Sequence, residues 1–251
     1  MQGTGDPGIF ATTRWSIVLS AANSGSERGT ARLALAELCR IYWIPIFSFV
    51  CRRGYSTEDA QDLTQDFFVM ILEDNWLQHA DRSRGRFRAF LLKSLQNFLN
   101  NAAERNRAQK RGGDAQFVSW HDWMAEDPLH LSMSPDALAS VGPEQLFDLR
   151  WAATVVEQAL RRLREACEEK GRLRLFNVLS DYLAAERADV SYAELSTKLG
   201  VPEPVVKKQL HNMRLRYRWL LRNEVTRTVE DPADVEDEIR YLCAVLGASN
   251  D

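Results

Sequence analysis

Hydrophobic residues recur every three or four positions through most of the chain, which is the spacing of amphipathic helices. Over residues 30–111 the pattern is nearly continuous. It predicts one helix in "ARLALAELCRIYWIPIFSFVCRRGY", bent near Pro45, and further helices in "STEDAQDLTQDFFVMILE" and "GRFRAFLLKSLQNFLNNAAERNRAQKR". Stretches that alternate with period two are rare. We therefore expect an all-α protein.

The helical pattern is interrupted between residues 112 and 145, where Gly, Pro, Ser and Asp occur without steady periodicity. This segment reads as a linker, so the chain should form two small helical domains. The predicted divisions are an N-terminal extension (1–29), a first domain (30–111), the linker (112–145), a second domain (146–228) and an acidic C-terminal tail (229–251). Pro232 predicts a short helix in the tail. The tail is either regulatory or packed on the second domain, and we expect the packing.

The second domain contains the signature of two helices joined by a tight turn. Ser191 and Glu194 have the spacing of a capping box and predict a helix over "YAELSTKLG". Gly200 stands where that helix would end in a left-handed residue. Pro202 and Pro204 suit the first turn of a following helix. This order predicts a helix-turn-helix.

The second helix of this pair has an apolar face and a basic face. Val206, Leu210, Met213, Tyr217 and Leu220 form one stripe that must be buried. The cations that fall on the other side are Lys207, Lys208, His211, Arg214, Arg218 and Arg222. Residues 205–222 contain no acid, although the whole chain has a net charge of -3. Such a face suits phosphates and major-groove base edges; the alternative, a solvated face on a structural helix, is disfavoured by the turn in front of it.

A second basic block occupies residues 82–111, where Glu104 is the only acid. Phe87, Phe90 and Phe98 interleave with the cations and are expected in the core. Cations, amides and aromatic rings together suit single-stranded nucleic acid, whereas solvated arginines are the alternative. The residues assigned to this contact are Arg88, Lys93, Asn97, Asn100, Asn101, Arg105, Arg107, Lys110 and Arg111.

The helix before this block carries the opposite charge. Its acidic stripe consists of Asp59, Asp62, Asp66 and Glu73, beside an apolar stripe of Leu63, Phe67, Met70 and Ile71. Ser56 and Asp59 have capping-box spacing. An acidic stripe repels DNA, so it favours contact with a basic protein surface over a plain solvent face.

Several classes of function find no support in the sequence. Cys39, Cys51, Cys167 and Cys243 form no CxxC pair and lack His at a metal-ligand spacing, and no glycine-rich phosphate loop occurs. The N-terminus lacks a signal-peptide pattern, and the longest apolar run is too short to span a membrane. We expect no enzyme activity, no metal, no cofactor, no membrane insertion and a cytoplasmic location.

The three charged elements, in this order, resemble a bacterial RNA polymerase sigma factor of the extracytoplasmic function (ECF) type. "EDAQDLTQDFFVMIL" is similar to the family's core-polymerase-binding helix. "FRAFLLKSLQNFLNNAAERNRAQKR" is similar to the region that melts and reads the minus-ten element. "SYAELSTKLGVPEPVVKKQLHNMRLRYRWLL" is similar to the helix-turn-helix that reads the minus-thirty-five element. Ser196, Pro204 and Val205 depart from the usual residues of that motif.

The resemblance implies a transcription initiation factor whose partners are core RNA polymerase and promoter DNA, and it leaves open an anti-sigma or other regulatory protein. It places Asp62, Gln65 and Asp66, flanked by Asp59 and Glu73, on the clamp helices of the largest polymerase subunit. It places the residues of the second basic block, Asn97, Asn101 and Arg105 among them, on the minus-ten strand. Lys207, Lys208, His211, Arg214 and Arg218 would enter the minus-thirty-five major groove.

Two other functions stay open at this point. A stand-alone helix-turn-helix regulator would account for residues 191–222 but would leave the acidic helix and the second basic block, residues 82–111, without a role. A degenerate sigma-like adaptor would bind polymerase without reading DNA, against which the retained cations argue.

Overall fold

The computed structural model describes residues 28–73, 87–109, 140–229 and 232–247. Within these ranges every regular element is helical, which confirms the predicted all-α class. The α-helices are α1 (Arg28–Arg52), α2 (Thr57–Glu73), α3 (Phe87–Gln109), α4 (Pro143–Glu168), α5 (Leu173–Leu179), α6 (Tyr192–Leu199), α7 (Glu203–Thr226) and α8 (Val235–Gly247). Short 3-10 helices occupy Ser180–Tyr182, Arg187–Asp189 and Pro232–Asp234.

The chain divides into two compact units. The first contains residues 1–154 and 225–251, and the second contains residues 155–224. This differs from the predicted division, because the beginning of α4 and the whole of α8 belong to the first unit. Most of the predicted linker, residues 112–139, and all but the last two residues of the predicted N-terminal extension lie outside the described residues.

The core of the first unit is rich in aromatic rings. The Tyr42 ring meets Phe87 edge-on with centroids 5.4 Å apart and stacks on Phe147 at 6.4 Å. Phe67 of α2 contacts Phe98 of α3 at 5.6 Å. Residues on several sides of α1 are buried, which is the pattern of a central helix rather than a surface helix. The helix continues through Pro45.

The beginning of α4 belongs to the first unit because its apolar residues pack against the C-terminal helix. Leu146 and Leu149 are buried, and Val245 and Leu246 of α8 pack against them. The tail was expected on the second domain, whose predicted start at residue 146 includes Leu146 and Leu149. The structure counts this part of α4 in the first unit, so the boundary between the units differs from the predicted one. A hydrophobic stripe on a C-terminal helix indicates burial, but it does not identify the surface that covers it.

The second unit is built on the apolar stripe that the sequence predicts for α7. Val206, Leu210, Met213 and Leu220 are buried, and Tyr217 packs against them half-buried. Their partners come from the later turns of α4, from α5 and from α6. The core therefore turns the opposite face of α7 towards solvent.

Candidate functional site

The acidic residues of α2 lie on an exposed face. Asp59, Asp62, Gln65 and Asp66 are all exposed, whereas Phe67 and the neighbouring apolar residues on the other side are buried. The Ser56 hydroxyl accepts a hydrogen bond from the Asp59 backbone N–H at 3.1 Å and donates to its carboxylate at 2.8 Å. This cap fixes the start of the helix and engages Asp59 locally.

Sequence reasoning missed one member of this face. Val69 is 39% exposed and lies about 20° around the helix from Asp62, so it interrupts the acidic stripe with an apolar side chain. Its position in the face could have been read from its spacing, since it follows Asp66 by three residues. Glu73 is the last residue of α2, and its side chain lies outside the described set. We name the exposed set Asp62, Gln65, Asp66 and Val69 the α2 face.

The middle of α3 presents a polar strip to solvent. Lys93, Asn97, Asn100 and Asn101 are exposed and fall on one side of the helix, because they are spaced by four, three and one residues. Glu104 continues the same strip. The side chains of Arg105 and Arg107 lie outside the described set, as do Lys110 and Arg111 altogether.

Arg88 does not belong to this strip. It lies five residues before Lys93, about 140° around the helix, and is only 7% exposed. Its guanidinium forms ion pairs with Asp148 of α4 and with Glu238 of α8, the latter with an N–O distance of 3.1 Å. The prediction that Arg88 contacts DNA is therefore corrected: in this structure Arg88 faces the interior of the first unit.

Two aromatic rings complete the surroundings of Arg88. The guanidinium carbon lies 4.9 Å from the Trp151 ring centre and 4.2 Å from that of Tyr241. The Tyr241 hydroxyl also donates to Asp148 at 2.5 Å. Burial by itself would lower the pKa of Arg88, but the charges and hydrogen bonds of the two carboxylates outweigh it and raise that pKa. We call this group the Arg88 cluster. The cluster therefore favours the charged form of Arg88.

The predicted turn of the helix-turn-helix is present in the second unit. Gly200 has φ +72°, a left-handed conformation that closes α6. Its backbone N–H donates to the Ser196 carbonyl at 2.8 Å, and the Ser196 hydroxyl donates to the Val201 carbonyl at 2.6 Å. Ser196 thus ties the two ends of the turn together. Ser191 precedes α6 but makes no side-chain capping bond, so the second capping box is not formed.

The exposed side of α7 carries most of the predicted cations. Lys207, Lys208, His211 and Arg218 are exposed. The Lys207 ammonium lies 3.5 Å from Glu203 and 5.0 Å from the centre of the Tyr192 ring of α6. These contacts connect the basic face to the first helix of the motif.

Arg214 has a different environment from the other cations. Its guanidinium donates to the Tyr182 carbonyl at 2.7 and 3.2 Å and to the Ala185 carbonyl at 2.7 Å. It is half-buried and fastens the segment between α5 and α6 to α7. The structure therefore gives Arg214 a structural task rather than a place on the exposed face.

A groove runs beside the start of α7 and adds two cations that sequence reasoning missed. Its volume is about 760 Å³. It is lined by Gly171, Arg172, Arg174, Leu175, Leu199, Val201, Pro204, Val205, Lys208, Gln209 and Asn212. Arg172 and Arg174 are exposed, and one arm of Arg174 donates to the Lys198 carbonyl at 2.8 Å. The sequence "RLRLF" shows these arginines alternating with leucines, but only the fold brings them beside Lys208.

Farther along α7, two large apolar side chains face solvent. Leu215 and Trp219 are about half exposed, and the Arg216 guanidinium lies 4.2 Å from the centre of the Trp219 ring. None of the helices in the described part of the chain combines the length and apolar character needed to cross a membrane.

Comparison with known proteins identifies the family. The family model described as ECF sigma factor matches residues 48–224, which is more than half of the chain. No curated protein and no solved structure matches the chain. The matched region contains α2, α3 and the whole second unit, and it ends where the chain returns to the first unit. The exposed acidic face, the polar strip and the helix-turn-helix thus occur in a chain that belongs to the ECF sigma factors.

Proposed function

We propose that this sigma factor holds core RNA polymerase with the α2 face, captures the opened minus-ten strand with α3, and reads the minus-thirty-five element with α7. The α2 face is the observation that best supports this proposal. An exposed acidic face would repel DNA, so a DNA-binding protein that acts alone would not require it. The carboxylates of the α2 face are exposed while the other side of the same helix is buried.

The polymerase contact follows from the composition of the α2 face. Asp62 and Asp66 lie one turn apart and offer two carboxylates to a basic surface, while Gln65 offers an amide beside them. Val69, at the C-terminal end of the face, adds an exposed apolar side chain that becomes buried when a partner covers it. Interfaces commonly combine a desolvated apolar core with a charged rim, and this arrangement favours a protein partner over bulk water.

The minus-ten contact follows from the polar strip of α3. Asn97, Asn100 and Asn101 offer amide donors and acceptors, and Lys93 adds one positive charge. Amides suit the edges of bases that have left the stack, since an unpaired base exposes both donors and acceptors. In this proposal the strip holds the displaced strand, and this capture drives promoter opening.

The minus-thirty-five contact combines α7 with the groove beside it. Lys208 and His211 lie on the exposed side of α7 and would reach base edges in the major groove. Arg172 and Arg174 line the same groove as Lys208 and would hold the phosphates of the flanking strand. Phosphate contacts of this kind orient a recognition helix without reading sequence.

Co-sedimentation with bacterial core RNA polymerase tests the proposal. The test variant carries Asp62→Arg and Asp66→Arg, which reverses the charge of the α2 face. Its matched control carries Glu168→Arg and Glu169→Arg, the same charge change on exposed residues of the second unit. We expect stoichiometric binding by the wild type and the control, and loss of binding in the test variant with its circular dichroism unchanged.

Equal polymerase binding by all three proteins would refute the assignment of the α2 face. If the folded wild type binds no polymerase at low salt but binds a double-stranded operator, the chain acts as a stand-alone regulator. If it binds polymerase and no promoter, it acts as an adaptor.

A further inference from the structure

The exposed side of α7 becomes apolar in the second half of the helix. Leu215 follows the buried Val206 by nine residues, which is two and a half turns, so it points away from the core of the second unit. Trp219 lies one turn farther along the same side. The two residues are 51% and 50% exposed, whereas the other exposed residues of 207–222 are polar or charged. We call this pair the Leu215–Trp219 ridge.

An arginine stacks on the ridge. The Arg216 guanidinium carbon lies 4.2 Å from the centre of the Trp219 ring, which is a cation–π distance. This contact holds the indole in place before any partner arrives, and a side chain that is already ordered loses less entropy on binding. Trp and Arg are also the residue types that most often dominate the binding energy of protein interfaces. The ridge therefore has the composition of a binding surface.

The charges beside the ridge are positive. Arg216 and Arg218 are exposed and lie about 80° to either side of the middle of the ridge. The two acids of α7, Glu203 and Glu224, lie on other sides of the helix, and each pairs with a cation there at N–O distances of 3.5 and 2.8 Å. A partner that brings carboxylates to the rim of the ridge is therefore complementary to it.

Other occupants suit the ridge less well than an acidic protein does. A second copy of this chain would bring the same arginines against each other. DNA phosphates would pair with the arginines but offer nothing to Leu215, and recognition helices contact bases chiefly with their N-terminal residues. The ridge begins about 6 Å beyond His211 along the helix and ends about 12 Å beyond it. A lipid surface would require an apolar face wider than two side chains.

We infer that the Leu215–Trp219 ridge is a docking surface for an acidic, amphipathic helix of a second protein. Apolar side chains of that helix pack against Leu215 and the open part of the indole, as the side-chain ridges of one helix pack into the grooves of another. Carboxylates beside them meet Arg216 and Arg218 at the rim. This inference goes beyond the proposed function, which gives the ridge no role.

Fluorescence anisotropy with the full chain and labelled synthetic helices tests the inference. The acidic probe has about 16 residues, a length at which an isolated helix can form, with leucines four positions apart on one side and glutamates flanking them. A second probe carries lysine in place of every glutamate, and a third carries glutamine in place of every leucine. We expect the acidic probe to bind the wild type, and the other two to bind roughly tenfold more weakly or worse.

Variants of the ridge assign the binding to its residues. Leu215→Ala with Trp219→Ala should bind the acidic probe at least roughly tenfold more weakly, which is the loss typical of truncated hot-spot residues, and should keep the circular dichroism of the wild type because both side chains are exposed. Arg216→Glu should weaken binding of the acidic probe and strengthen binding of the lysine probe. Lys198→Glu makes the same charge change on an exposed residue of α6, and this matched control should bind like the wild type.

Several results would overturn the inference. The acidic probe could fail to bind the wild type, or could bind the wild type and the ridge variant equally. Loss of promoter affinity in the ridge variant would show that DNA covers the ridge, and loss of core polymerase binding would assign the ridge to polymerase. A wild-type dimer that the variant cannot form, measured by sedimentation equilibrium, would show that a second copy covers it. Binding to phosphatidylglycerol vesicles by the wild type but not by the variant would assign it to lipid.

The two proposals fail in different ways. A folded wild type that binds neither polymerase nor promoter refutes the proposed function, while the probe measurements still decide what the ridge binds. Equal binding of the acidic probe by the wild type and the ridge variant overturns the inference about the ridge and leaves the proposed function intact.

Discussion

Replacing Arg88 by methionine distinguishes two possible roles of this residue. The sequence predicts that Arg88 contacts DNA, whereas the structure places it in buried ion pairs. Methionine retains most of the side-chain volume and removes the charge. Glu238, whose side chain is 1% exposed, and Asp148, at 16%, would then both lose the guanidinium that pairs with them. Removing one partner of a buried ion pair costs about 3–5 kcal/mol, because the remaining charge is left uncompensated. For a domain of this size, such a loss lowers the unfolding midpoint by roughly 6–20 °C.

Lys93→Met is the matched control, because Lys93 lies on the same helix and is exposed. Its unfolding free energy should stay within about 0.5 kcal/mol of the wild type, whereas its opening of promoter DNA should weaken. Both variants are measured by urea unfolding followed by circular dichroism, and by permanganate footprinting of the opened strand.

Unchanged stability of Arg88→Met would show that Arg88 does not form the buried ion pairs. If Arg88→Met unfolds at the wild-type urea concentration and yet loses promoter opening, Arg88 faces DNA as its position in the basic block suggested. If Arg88→Met is destabilised but opens promoters normally at low temperature, its contribution is to the fold alone.

Three other predictions follow from single features. Gly200→Ala should destabilise the second unit by about 1–2 kcal/mol, because a Cβ is strained at φ +72° although no atom lies within 4 Å of it; an unchanged thermal midpoint would contradict this. Arg172→Ala with Arg174→Ala should weaken binding to all promoters alike and reduce the slope of log affinity against log salt by about 2; a change in sequence preference alone would argue for base contacts. Burial raises the pKa of Cys39 to about 11 and of Cys51 to about 12, so both thiols are protonated in the native state. The stability that this protonation contributes is complete below the unfolded thiol pKa of about 8.5 and is lost as the pH rises towards the folded pKa values. The urea concentration at the unfolding midpoint should therefore fall between about pH 8 and pH 10. A constant midpoint would contradict the burial of these thiols.

The sequence predicts those features that depend on neighbours along the chain. The helical period, the glycine of the turn and the apolar stripe of α7 are local patterns, and the structure confirms them. The exposure of Asp62 and Asp66 follows equally from the period of α2, since the apolar positions determine which side is buried.

The failures have long-range causes. Arg88 and Lys93 look alike in the sequence, and the difference lies in Asp148 and Glu238, which are 60 and 150 residues away. Arg214 shares the period of the exposed cations, but carbonyl groups about 30 residues earlier lie within its reach. Packing decides whether a cation faces DNA or a buried acid. The hydrophobic period of a helix contains no information about the distant residues that pack against it.

The shared Arg88 also orders events during synthesis. Its partner Glu238 is made 150 residues later, near the end of the chain. A ribosome therefore releases the helix-turn-helix before the first unit has its last helix, and domains generally fold as their sequence emerges. Until α8 emerges, Arg88 lacks one of its two counter-charges, and the first unit lacks part of its core. A nascent chain that has not yet released α8 would thus contain a folded helix-turn-helix unit attached to a first unit whose core is still incomplete.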